Sequence, residues 1–74
     1  MYSTRVRILG NYKDVEKVCS DTKLKDATFI YDITPCYLTV YSDTEQIANH
    51  RGGWLIHKVK NCKLNKSFRV KEIK

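Results

Sequence analysis

The sequence predicts an α+β fold: a small antiparallel sheet of four to five strands with one main helix packed on one face, in the order β-α-β-β-(short α)-β-β. Three observations predict it. Apolar residues recur with period two in Thr4–Leu9 and Cys36–Tyr41, the mark of half-buried strands. One stretch, residues 12 to about 22, keeps its apolar residues on a single helical face. The chain has 74 residues, enough for one domain (residues 1–74) and too few for two. Elements of this kind and order pack as a two-layer sandwich. A small bent β-barrel with a helix is the competing architecture, reached if four or five short strands close on themselves.

In Thr4–Leu9, Thr4, Val6 and Ile8 alternate with Arg5, Arg7 and Leu9, giving a strand with one apolar and one basic face. Gly10-Asn11 breaks it, and Asn11 is placed to cap a helix whose first turn carries Asp14. Tyr12, Val15, Val18, Cys19 and Thr22 form the inner face of that helix. Ala27–Ile33, with Phe29, Ile30 and Tyr31, reads as the second strand. Thr34-Pro35 makes a tight turn into Cys36–Tyr41, an antiparallel hairpin in which Leu38 and Val40 face one way and Tyr37 and Tyr41 the other. Ser42-Asp43-Thr44-Glu45 matches a capping box, so a helix of about two turns carrying Ile47 and Ala48 should follow and end at Gly52-Gly53. Trp54–Cys62 then reads as a fourth strand, residues 63–66 as a turn, and Phe68–Ile73 as a fifth strand.

Hydrophobic residues make up 42% and charged residues 30%, which suits a folded chain rather than a disordered one. The net charge is +6, and its distribution is uneven. Residues 1–50 carry six Lys and Arg against seven acids, whereas residues 51–74 carry eight against Glu72 alone. Such a field attracts phosphate backbones, anionic lipid or an acidic protein surface. Neither helix is both basic and strongly amphipathic, so a membrane partner is not expected. Cys19, Cys36 and Cys62 are an odd set without close spacing, and no apolar run follows the N-terminus. These features point to a reduced, cytoplasmic protein whose cysteines are mostly small core residues. The abundance of Lys, Asn, Ile and Tyr suits an AT-rich genome, such as that of a bacterium or a phage.

If the helix covers the apolar strand faces, the alternate positions share one open surface. They are Arg5 and Arg7, then Tyr37 and Tyr41, then Trp54, Lys58 and Lys60, and finally Arg69 and Lys71, with Arg51 and Lys63 extending the patch. Arg and Lys neutralise phosphates, while Tyr and Trp offer flat faces to unstacked bases. RNA-recognition motifs bind through a sheet laid out in this way. The likeness is one of layout, because the aromatic-rich signature of that family's third strand is absent here. The bland alternative is a solvated strand face, where Tyr, Thr, Lys and Arg are common for cross-strand packing.

Other constellations carry less. Arg51-Gly52-Gly53 is a single RGG unit and reads better as a helix stop. His50, expected in the loop after the short helix, and His57, expected at a sheet edge, have no metal-ligand spacing to each other or to the cysteines, so neither a metal nor any cofactor is expected. A small ribonuclease could draw on His50 or His57 with Lys58, Arg51 and Tyr41, but any small basic chain supplies such residues. Glu72-Ile73-Lys74 has no upstream acidic partner for a metal nuclease. The reading that results is a non-enzymatic basic module binding nucleic acid, single-stranded in preference to duplex. A protein-docking inhibitor or antitoxin-type regulator, of the kind encoded by phages and mobile elements, is the alternative. In it Tyr37, Tyr41, Trp54 and Ile56 anchor the partner and the basic strip steers an acidic surface, with a sheet edge available for a second copy.

Overall fold

The alternation of Thr4, Val6 and Ile8 with Arg5 and Arg7 builds β1 (Tyr2–Ile8), in which those three residues are buried and the arginines exposed. The structure, a computed structural model, describes residues 1–59 and 64–74. Asn11 caps α1 (Tyr12–Lys25), its Oδ1 accepting from the Lys13 N–H at 3.1 Å. Asp14 in the first turn and Lys23 and Lys25 in the last complement the helix dipole. The helix runs three residues beyond the expected end and closes where the Asp26 N–H donates to the Thr22 carbonyl at 2.8 Å.

Asp26 also explains why β2 (Ile30–Ile33) is shorter than Ala27–Ile33 suggested. Its Oδ1 accepts from the Thr28 N–H at 3.0 Å and the Thr28 hydroxyl at 2.7 Å, and this local turn keeps residues 26–28 out of the sheet. The expected hairpin into β3 (Tyr37–Ser42) is present. The Thr34 N–H donates to the Tyr37 carbonyl at 2.9 Å, and the Thr34 hydroxyl accepts from the Tyr37 N–H at 3.1 Å.

The second helix is not a two-turn element; α2 spans Glu45–Lys58, as long as α1, and it takes up the first half of the expected fourth strand. Thr44 is its cap, accepting from the Ile47 N–H at 3.2 Å, whereas Ser42 is buried at the end of β3. Gly52 and Gly53 lie inside the helix and do not stop it. A Cβ built on Gly52 would come within 2.6 Å of the Phe68 ring, so glycine stands there because helix and strand touch. The helix ends at Val59, whose N–H donates to the Leu55 carbonyl at 3.2 Å. The last strand, β4 (Leu64–Glu72), begins earlier than expected. Lys60, Cys62 and Lys63, with the remainder of the expected fourth strand and the start of the turn after it, lie outside the described residues.

The order β1-α1-β2-β3-α2-β4 folds into an open four-stranded sheet, β2-β3-β1-β4, antiparallel at every pairing. This is the split β-α-β, or ferredoxin-like, element order. The sheet does not close, so the barrel alternative is set aside. Val6 and Ile8 from β1, Leu38 and Val40 from β3, Val15 and Cys19 from α1, Leu55 from α2 and Leu64 from β4 form one core with Phe29. Both helices therefore cover the same sheet face. The buried Thr4 hydroxyl donates to the Ala48 carbonyl at 2.8 Å and ties β1 to α2.

The two glycines give opposite expectations. Gly53→Ala meets nothing within 4 Å and should stabilise the domain by about 0.5–1 kcal/mol through helix propensity. Gly52→Ala should lower stability by about 1–2 kcal/mol, overpacking against Phe68 outweighing the same propensity gain. Thermal melts of the two variants beside the parent check both signs; equal shifts would show that helix and strand can part freely.

Candidate nucleic-acid interface

The face turned away from the helices is built rung by rung from the strand register. Asp32, Thr39, Arg5 and Arg69 share one rung across β2, β3, β1 and β4. Ile30, Tyr41, Ser3 and Lys71 form the next, and Tyr37 stands opposite Arg7 at the far end. Of the residues expected on one surface, Arg5, Arg7, Tyr37, Tyr41, Arg69 and Lys71 are brought together. The remaining described ones are not. Trp54 and Lys58 lie on α2, on the covered side of the sheet. Trp54 is half-buried and meets Phe29 edge-on, ring centroids 6.4 Å apart. Ile56, also on α2, packs against the core, so the four anchors of a protein-docking surface do not form one patch. His57 and Lys58 are exposed in the last turn of α2, so His57 does not sit at a sheet edge, and His50 is exposed earlier on the same helix and not in a loop.

Arg51 has a different occupation from the one expected of it. Its side chain is only 13% exposed. One amino group donates to the Asp26 carboxylate at 3.0 Å and the Thr28 hydroxyl at 2.9 Å, and the other donates to the Tyr41 carbonyl at 3.2 Å. The guanidinium also lies 5.4 Å from the Phe29 ring centroid. Arg51 thus ties α2 to the turn after α1 and to the end of β3, and its donors are spent inside the protein. The Asp26 carboxyl is held below the usual carboxylate range, first by its bonds to Thr28 and then by Arg51.

The arginines of the open face are in the reverse condition. Arg5 and Arg69 are direct cross-strand partners, and like charges in that position repel. Among the described residues neither they, nor Arg7, nor Lys71 make an ion pair. Asp32, the one acid of this face among the described residues, is engaged by the Tyr41 hydroxyl at 2.9 Å, and that bond pushes the Tyr41 phenol above its ordinary value. The Arg5 guanidinium lies 3.9 Å from the centre of the exposed Tyr37 ring.

Around these groups lies a concavity of about 450 Å³, lined by Arg5, Arg7, Tyr37, Asn65, Ser67 and Arg69. Its outer wall comes from a register shift in β4, where Val6 pairs with Phe68 but Ile8 pairs with Leu64. The extra residues are held by Asn65, whose Oδ1 accepts from the Ser67 N–H at 3.0 Å and the Ser67 hydroxyl at 2.9 Å. Asn65 and Ser67 were not singled out from sequence. The Asn-x-Ser spacing of a side-chain-closed turn was the available signal.

Among the described residues no group of three His, Cys, Asp or Glu is placed to hold a metal, and no helix is long and apolar enough to cross a membrane. Cys36 is exposed, whereas Cys19 is buried and its thiol is pushed up to about 12 by burial and by Glu16. Compared with protein families, curated proteins and solved structures, the chain matches none.

Arg51→Met should cost about 2–3 kcal/mol in urea unfolding, mostly from orphaned acceptors, since an ion pair to a half-exposed carboxylate adds little. Asp26 has a lowered folded-state pKa, so its contribution is present above the ordinary Asp pKa. It fades as pH falls through the lowered one. The variant should therefore show a weaker loss of stability on acidification than the parent. An identical acid limb in both proteins would contradict this role for Arg51.

Proposed function

We propose that this protein is a non-enzymatic module that binds single-stranded nucleic acid on its open sheet face. The observation that carries the reading is the Arg5–Arg69 pair. The two arginines are direct partners across neighbouring strands, with Arg7 beside them and no carboxylate within ion-pair distance of any of the three among the described residues. A fold that keeps such a cluster is complementary to a polyanion. The exposed Tyr37 ring, with the Arg5 guanidinium on it, favours a nucleic acid over a purely phosphate ligand, because only the former brings bases to such a flat surface.

The shape of the face favours a single strand. Four strands span about 14 Å between the outer strand axes before side chains are added. The major groove of B-DNA, about 12 Å wide, admits a helix or a two-stranded ribbon but not a sheet of this breadth. A single strand can lie along the surface, with its phosphates towards Arg7, Arg69 and Lys71. With these side chains assigned to phosphates, affinity should vary little with sequence.

Fluorescence anisotropy with a labelled single-stranded oligonucleotide tests the proposal. Three or four phosphate contacts imply a fall in affinity of roughly 20- to 50-fold between 50 and 200 mM salt. Arg69→Ala should weaken binding similarly for every sequence and flatten the logarithmic salt slope by about 0.7. Lys58→Ala, on α2, should leave both unchanged. Absence of binding at 50 mM salt refutes the reading and turns attention to an acidic protein surface as the partner of the basic face.

A further inference from the structure

We infer that the concavity at the β1–β3–β4 corner holds one nucleotide unit, its base lying on the Arg5 guanidinium with the Tyr37 ring as backing. The inference rests on the nucleic-acid reading and specifies how the ligand is held. Strand order places β1 between β3 and β4, so Arg5 stands between Tyr37 on one side and Arg69 on the other. The guanidinium is 3.9 Å from the Tyr37 ring centre, well inside the roughly 6 Å reach of a cation–π contact. One face of the Tyr37 ring is therefore already taken by Arg5. A base entering between Arg5 and Arg69 meets the guanidinium plane first.

That plane is a competent platform. Guanidinium groups are delocalised and weakly hydrated, and unpaired bases stack on them as they do on aromatic rings. Tyr37 holds the group in place beforehand, which reduces the ordering cost on binding. The remaining groups suit the rest of a nucleotide. Arg7 and Arg69 offer forked donors for a phosphate, and Asn65 and Ser67 on the outer wall add polar groups near the base or sugar. A space of about 450 Å³ is large enough for a single nucleotide. The recognised chemistry is a planar base joined to a phosphate, whether it belongs to a strand or to a free nucleoside monophosphate.

Three ligands separate the possibilities: a single-stranded 10-mer, an abasic 10-mer with the same phosphates, and a free nucleoside 5′-monophosphate. Each is titrated against the parent protein, Arg5→Lys, Tyr37→Leu and Arg69→Lys, with folding checked by circular dichroism. Arg5→Lys keeps the charge and removes the plane. It should weaken the base-bearing strand by about 5- to 50-fold and the abasic strand by less than twofold, erasing most of the parent's preference between them. Tyr37→Leu should act in the same direction by removing the backing. Arg69→Lys should affect both strands alike. Equal affinity of the parent for the two 10-mers, or an equal loss for both in Arg5→Lys, overturns the inference while leaving strand binding intact. Binding of the monophosphate alone, lost in Arg5→Lys, supports the pocket and refutes the strand. No binding of any ligand refutes both.

Discussion

The contact between Gly52 and Phe68 governs the arrangement of the whole molecule. At this point α2 lies so close to β4 that a single added carbon would strike the ring. One turn earlier the Thr4 hydroxyl grips the Ala48 carbonyl, so the helix is fixed on β1 and β4 together. Strand geometry carries that constraint through the sheet. Successive side chains point to opposite faces, so a strand held at Phe68 beneath the helix must present Arg69 on the other side. The pairing of Val6 with Phe68 then sets Arg5 opposite Arg69. The charge pattern of the open face is thus fixed by apolar packing on the covered one.

The chain's arginines divide into two chemical populations. Arg51 is nearly buried and bonded to a carboxylate, a hydroxyl and a carbonyl. Arg5, Arg7 and Arg69 line an open concavity and have no acid within ion-pair distance among the described residues. The sequence does not lack acids to offer them, since it holds eight Asp and Glu. Most of those acids lie off this face: Asp14, Glu16 and Asp21 belong to α1, Glu45 opens α2 and Asp26 serves Arg51, while Asp32, on the open face, is drawn towards Tyr41. The segregation is a property of the fold and not of the composition, and it is what distinguishes the open face from an ordinary solvated one.

Most of that face was legible in the sequence because strands declare themselves by alternation. Thr4–Ile8 and Leu38–Val40 bury every second residue, which puts Arg5, Arg7, Tyr37 and Tyr41 on the open face; the half-buried Phe68 and Val70 do the same for Arg69 and Lys71. The misreading began at Gly52-Gly53. A glycine pair after a short apolar stretch is an ordinary helix end, and Leu55, His57 and Val59 then mimic a strand. The competing spacing was present in Ala48, Gly52, Leu55 and Val59, all buried on one helical face. Sequence alone does not reveal that a glycine is required by a ring sixteen positions away. The error moved Trp54 and Lys58 onto the wrong surface. Arg51 was misassigned for a related reason, since its acceptors come from a turn and a strand end that only the tertiary fold assembles.

The facing arginines have a thermodynamic consequence. Like charges opposite each other across strands cost up to about 1 kcal/mol, a noticeable fraction of the stability of so small a domain. Tyr37 relieves part of this by taking one guanidinium onto its ring, which leaves Arg69 as the charge without a partner in its rung. In the proposed complex, a ligand carrying both a phosphate and a base would complete the set, its anion meeting Arg69 and its base covering the exposed side of Arg5. Any species that binds only the folded state stabilises it in proportion to the logarithm of its concentration over its dissociation constant. Repulsion in the free protein and the proposed affinity for a nucleotide are therefore two expressions of one electrostatic arrangement, and in that proposal the aromatic ring at its edge selects among anions.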